Sequence, residues 1–176
     1  MRLTRRAGRL LTAAVATAAI AVPAVALASS GGRSVAAAPR CAAANTFVWL
    51  ALSPNGAAGT IYYPVEFTNL GGTTCTLRGY PGVAAINGAG LKLGRAASRI
   101  GATVTTVTLK PHQTAHANLG IEETGAVICH PVNAAGLQVY APSQKVRRIV
   151  SNFTFQACRH KLYLRVFPVT PGIGVP

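Results

Sequence analysis

Eleven side chains belong to the types that most often attack, coordinate metals or carry protons: Cys41, Cys75, Cys129 and Cys158; His112, His116, His130 and His160; Glu66, Glu122 and Glu123. Hydrolysis by paired acids needs two carboxyl groups across one bond. Glu122 and Glu123 are neighbours that point to opposite faces of an extended chain, and Glu66 alternates to the outward side of its own segment. A serine triad needs a histidine oriented by a carboxylate, yet the chain has no G-x-S-x-G motif and no aspartate. Cysteine nucleophiles drop out where all four thiols are bridged. These residues predict a protein that is not an enzyme, with no catalytic residue and no cofactor.

His112 and His116 have the H-x3-H spacing that chelates zinc on a helix. On a strand the two stand about 13 Å apart, four rises of about 3.3 Å, too far to share an ion whose nitrogen ligands lie about 2 Å away. His130 and His160 each flank a cysteine, so a Cys129–Cys158 bridge would draw them together. They carry the alternative reading, an exported hydrolase or metal-binding protein. No third ligand is in view, and no metal site is assigned.

The cysteines are separated by 34, 54 and 29 residues, without the C-x2-4-C pairs of a zinc site. An even number in an exported chain reads as two disulfides. Three pairings are open. Cys41–Cys75 with Cys129–Cys158 is favoured, because each closes a moderate local loop and neither crosses the middle of the chain.

Charge is the remaining chemistry. Without the four arginines of residues 1–28, the chain holds 13 lysines and arginines against three glutamates. Such a surplus attracts anionic polymers and surfaces. Lys145, Arg147, Arg148, Arg159, Lys161 and Arg165 follow one another without an intervening acid. With Lys161, Tyr163 and Arg165 on one face of a last strand, they would merge into a single anion-binding patch. The partner class is an anionic cell-envelope polymer, a polysaccharide or lipid headgroups; no nucleic acid is expected in vivo.

The elements that position these residues begin after an export signal. "MRLTRRAGRL" is basic, the following "LTAAVATAAIAVPAVALA" is uncharged, and Ala26-Leu27-Ala28 supplies an A-x-A cleavage site. Residues 1–28 read as a signal peptide, with the general secretory route ranked above twin-arginine export and cleavage above a retained anchor. The mature chain is then expected to lack a transmembrane segment. Cys41 has no lipoprotein box before it, and "FPVTPG" lacks the apolar span and basic tail of a wall-sorting signal. Residues 29–40 read as a flexible linker, 41–168 as the domain, and 169–176 as an extended Pro/Gly tail.

Within the domain, "TFVWLAL" (46–52) is apolar on both faces, as a buried strand would be. "IYYPVEF" (61–67) alternates with Ile61, Tyr63, Val65 and Phe67 inward, and Pro64 is confined to an edge or a bulge. "TVTTVTL" (103–109), "HQTAHANL" (112–119), "LQVY" (137–140), "NFTFQ" (152–156) and "KLYLRVF" (161–167) complete the strands. No helical period lasts three turns. Short strands at regular spacing, with Gly and Pro between them, predict an all-β fold: an antiparallel immunoglobulin-like β-sandwich with two disulfides, ranked above a closed barrel. "FTNLGGTTCTLRGYPGV" (67–83) is a corner rather than a phosphate cradle, since a cradle would lead into a helix N-terminus. Asn69 to Gly72 are expected to supply positive φ, and Tyr80-Pro81 is a candidate cis bond. "INGAGLKLG" (86–94) reads as a hairpin turn.

The run "GTIYYPVEFTNLGGTTCTLRGYPGVAAINGAGLKLG", with Cys41 and Trp49 before it and "TLKPHQTAHANL", Cys129 and Cys158 after it, resembles the actinobacterial exported family known as domain of unknown function 4232. The likeness covers residues 41 to about 168. It implies an exported or lipid-anchored β-sandwich-like domain, without settled activity or catalytic residues to carry over. The chain departs from the family pattern in placing His112 where a glycine is common. The combined expectation is a secreted, extracellular or cell-wall associated, non-catalytic binding module.

Overall fold

The computed structural model describes residues 36–101, 103–151 and 153–174. The signal-peptide reading of residues 1–28 and the first part of the linker lie outside the described residues. No helix among those described is long and apolar enough to cross a membrane.

In chain order the strands are β1 (Thr46–Leu50), β2 (Asn55–Ala57), β3 (Thr60–Asn69), β4 (Cys75–Arg78), β5 (Gly82–Ile86), β6 (Lys92–Leu93), β7 (Ser98–Arg99) and β8 (Thr106–Leu109). There follow β9 (Thr114–Glu122), β10 (Pro131–Ala134), β11 (Gly136–Tyr140), β12 (Arg147–Val150), β13 (Phe155–Cys158), β14 (Leu164–Val166) and β15 (Thr170–Pro171). One sheet runs β1-β3-β9-β14-β7, with β2 beside β3 and β15 beside β9; a second runs β12-β11-β5-β6. β4–β8 and β10–β13 form two small ribbons. Strand pairs are antiparallel except β14–β7. The fold is all-β, as the alternation predicts.

Alternation works best where one face meets the core. Ala115, Ala117 and Leu119 on β9 are sealed from solvent, as are Val65 and Phe67 opposite them on β3. Leu137 and Val139 from the second sheet join the same core. β1 differs from expectation: Val48 and Leu50 are buried, but Phe47 is exposed, because β1 pairs only with β3 and leaves its outer side uncovered. Pro64 sits in a strand flanked on both sides. Its carbonyl accepts from Ala51 N–H at 3.0 Å, so its nitrogen faces the gap between the β1 and β2 pairings, where no ladder donor is needed.

The 67–83 segment is a corner, held differently than expected. Gly71 and Gly72 keep ordinary φ; the post is the buried Asn69. Its Oδ1 accepts from Gly71 N–H at 2.9 Å, and its Nδ2 donates to the carbonyls of Thr73 at 2.9 Å and Leu109 at 3.1 Å. The Tyr80-Pro81 bond is trans. The "INGAGLKLG" hairpin forms as expected, with Asn87 Oδ1 accepting from Ala89 and Leu91 N–H.

Of Gly79 and Gly82, which flank Tyr80-Pro81, only Gly79 is left-handed, at φ 101°. Gly79→Ala should therefore cost about 1 to 2 kcal/mol. Gly82 lies on β5 with conventional φ, and an added Cβ would reach only ordinary contact with the Tyr140 ring at 3.4 Å. Gly82→Ala should be close to neutral. Urea midpoints of the two variants test the distinction; equal losses would show that crowding rather than φ sets the cost.

The segment beyond residue 168 belongs to the domain rather than standing apart as a tail. Val169 is buried, β15 pairs with β9, and Gly172 N–H donates to the Thr114 carbonyl at 3.1 Å. The linker is likewise pinned at its end. Thr76 N–H donates to the Pro39 carbonyl at 2.8 Å, and Arg40 bridges Thr76 in parallel.

Candidate functional site

Both favoured disulfides are present, Cys41–Cys75 and Cys129–Cys158. Together they indicate an oxidising compartment. Cys41 and Cys75 are buried in the core; Cys158 ends β13 opposite Pro131 on β10. His130 lies just before β10, and His160 lies in the turn after β13 at φ 63°, both exposed. Among the described residues no group of three His, Cys, Asp or Glu side chains converges as a metal would require. His112 and His116 do not share a strand: β9 starts only at Thr114, and His112 occupies the preceding turn at φ 63°. That left-handed backbone explains why a glycine suits the position.

The six basic residues are spread over elements of two different sheets. Lys145 is exposed in the connection between β11 and β12, and Arg147 and Arg148 lie on β12 at the edge of the second sheet. Arg148 donates to the Ala43 carbonyl. Arg159 and Lys161 lie in the connection between β13 and β14, and Arg165 lies on β14 within the first sheet, ion-paired with Glu122. β12 pairs with β11, and β14 pairs with β9 and β7, so no strand pairing joins the two groups. The expected outward row of Lys161, Tyr163 and Arg165 also breaks. β14 begins only at Leu164, Leu162 is exposed, and Tyr163 is buried with its hydroxyl donating to the Leu93 carbonyl at 3.2 Å. Burial pushes the Tyr163 phenol well up.

Glu66 keeps its outward side and differs in what covers that side. It is on the outer side of β3, opposite His116 of β9, but it is fully buried because the C-terminal segment lies across it. Gly174 N–H donates to its Oε1 at 2.8 Å, while Oε2 has no partner among the described residues. His116 holds the same segment: Nδ1–H donates to the Gly172 carbonyl at 2.9 Å, and Nε2 lies 3.1 Å from the Thr170 hydroxyl. Burial pushes the Glu66 carboxyl above its ordinary value, outweighing the Gly174 N–H and the His116 charge, which both favour the ionised form. Alternation reported which way Glu66 points and carried no signal for what would cover it.

An all-β domain closed by two disulfides, with a fully buried carboxyl and far more cations than acids, defines a class of small oxidised basic domains. The chain belongs to the family described as domain of unknown function (DUF4232), whose model matches residues 41–170. No curated protein and no solved structure matches it.

Proposed function

We propose that this is an exported, non-catalytic binding module for an anionic partner outside the cell or in its envelope, on a frame of immunoglobulin-like sandwich type. The observation that carries the reading is the fate of the acids. Of three glutamates, Glu66 is sealed, Glu122 is taken by Arg165, and only Glu123 is left at the surface. Exposed cations therefore face solvent without internal counter-charges, and their field extends about 8 Å at physiological ionic strength. The basic leader and A-x-A site support export, and the disulfides agree with it.

The best candidates for contact are Lys145, Arg147, Arg159 and Lys161, since Arg148 and Arg165 already have partners. Changing these four to glutamine should weaken retention on a poly(glycerol phosphate) or acidic-polysaccharide column several-fold. A control that changes Lys92, Arg95, Arg99 and Lys110, removing equal charge, should lose less. Retention by the native protein should fall progressively as salt is added. Equal losses in the two variants would leave net charge alone as the cause, and salt-insensitive retention would reject the electrostatic reading.

A further inference from the structure

A concave feature lies elsewhere than the basic residues just named. Beside the Cys41–Cys75 bridge is a cleft of about 320 Å³, whose polar lining includes Arg40, Arg78, Thr76, Thr106, Ser143 and Gln144 and no carboxylate. Three separate parts of the chain build it: the segment leading into Cys41, the β4–β8 ribbon, and the connection from β11 to β12.

Its walls are fixed before any ligand arrives. Cys41 N–H donates to the Thr76 carbonyl at 3.0 Å, completing the parallel bridge between Arg40 and Thr76. Gln144 Nε2 donates to the Cys41 carbonyl at 3.0 Å and to the Thr46 hydroxyl at 3.0 Å, tying the third wall to the disulfide. The Ser143 hydroxyl donates to the Arg78 carbonyl at 3.3 Å, from a backbone held at φ 62°. Arg78 Nη1 donates to the Thr106 hydroxyl at 3.3 Å, which draws its guanidinium along the cleft wall. Preorganisation of this kind lowers the ordering cost of binding.

We infer that this cleft is a binding site for a phosphate monoester group. Two guanidiniums without a carboxylate partner among the described residues balance a charge of about −2, which a monoester carries above its second pKa of about 6. A carboxylate, a sulfate ester or a phosphodiester carries only one negative charge. Guanidinium forks match the oxygen geometry of a phosphoryl group; the Thr106 hydroxyl, which accepts from Arg78, has its own proton to donate, whereas that of Thr76 goes to the Pro39 carbonyl at 3.2 Å. A volume near the lower end of ordinary ligand pockets admits the phosphoryl group with a small polyol attached. The inference rests on the reading of an anionic partner and names the group such a partner would present.

The test is calorimetric titration of the disulfide-bonded protein at pH 7.5 with glycerol phosphate, inorganic phosphate, dimethyl phosphate, methyl sulfate and acetate. Glycerol phosphate should bind at least tenfold tighter than the three monoanions and should weaken as pH falls below 6. Arg40→Gln and Arg78→Gln should each lose about tenfold, and the double variant should lose binding while keeping its unfolding midpoint. Lys92→Gln with Arg95→Gln, which removes equal charge, should bind as the native protein does. Inorganic phosphate binding as tightly as the ester would still support the site and would show that the polyol adds nothing. Native-like binding by the Arg40/Arg78 double variant, equal loss in the control, or no preference for the monoester would overturn it. Salt-sensitive retention on the polymer columns would survive that failure, which separates the cleft from the broader electrostatic reading.

Discussion

Replacing Cys41 and Cys75 together by alanine should lower stability by roughly 3 to 4 kcal/mol in the chain-entropy model, the expectation for a loop closed over 34 residues. In a domain of this size that is a fall in Tm on the order of 10 °C. Alanine is the appropriate replacement because both positions are buried in the core, where a serine hydroxyl would need a partner. The bridge also anchors residues that do not lie in the core. Cys41 follows directly on Pro39 and Arg40, whose bonds to Thr76 hold the chain along β4. Loss of the bridge should therefore raise amide exchange at Thr76 ahead of global unfolding. Paired replacement of Cys129 and Cys158, closing 29 residues, should cost a similar amount while leaving Thr76 protected. Unfolding midpoints and residue-level hydrogen exchange check both points. Faster exchange at Thr76 in both variants alike would mean that the first bridge has no local role.

What was legible in the sequence was whatever a local rule determines. Period-two alternation placed Val65 and Phe67 in the core because a strand with one buried face has no other register that hides them. Loop length ranked the cysteine pairings correctly, since both bridges close neighbouring parts of the chain. Facing is local, however, and covering is not. Glu66 was assigned its correct side of β3 and the wrong environment, because its cover comes from Gly174, 108 residues later. The basic run shows the converse: residues close in sequence were dealt to β12 and β14, which belong to different sheets. Arg40 and Arg78 are 38 residues apart in the chain and meet around one cleft through a single parallel bridge, a contact no periodicity reports.

Glu66 also makes the pH response of this domain run against the usual carboxylate pattern. A carboxyl whose folded pKa is depressed loses its contribution as pH falls. Here the folded pKa is raised above the ordinary value of 4.5, so the contribution is present below that value and is lost as pH rises through the folded pKa. Each pKa unit of elevation is worth about 1.4 kcal/mol once the group is ionised. Glu66→Gln keeps an acceptor for Gly174 N–H and cannot ionise. Relative to the native protein it should gain stability steadily from about pH 4.5 upward, with the difference levelling once Glu66 is fully charged. At pH 4 the two should be nearly equal, because the amide and the protonated acid both leave a buried donor where Oε2 lacks a partner. Gly174→Ala separates burial from any intrinsic property of the strand. A Cβ there would lie 2.4 Å from Pro64 Cβ, so the C-terminal segment must lift and let water reach the carboxyl. In that background the Glu66→Gln difference should shrink toward zero at every pH. Urea midpoints from pH 4 to 8 for the four proteins decide the matter: a pH-independent difference would rule out an elevated Glu66 pKa, and a difference that persists in Gly174→Ala would rule out the C-terminal segment as its cause.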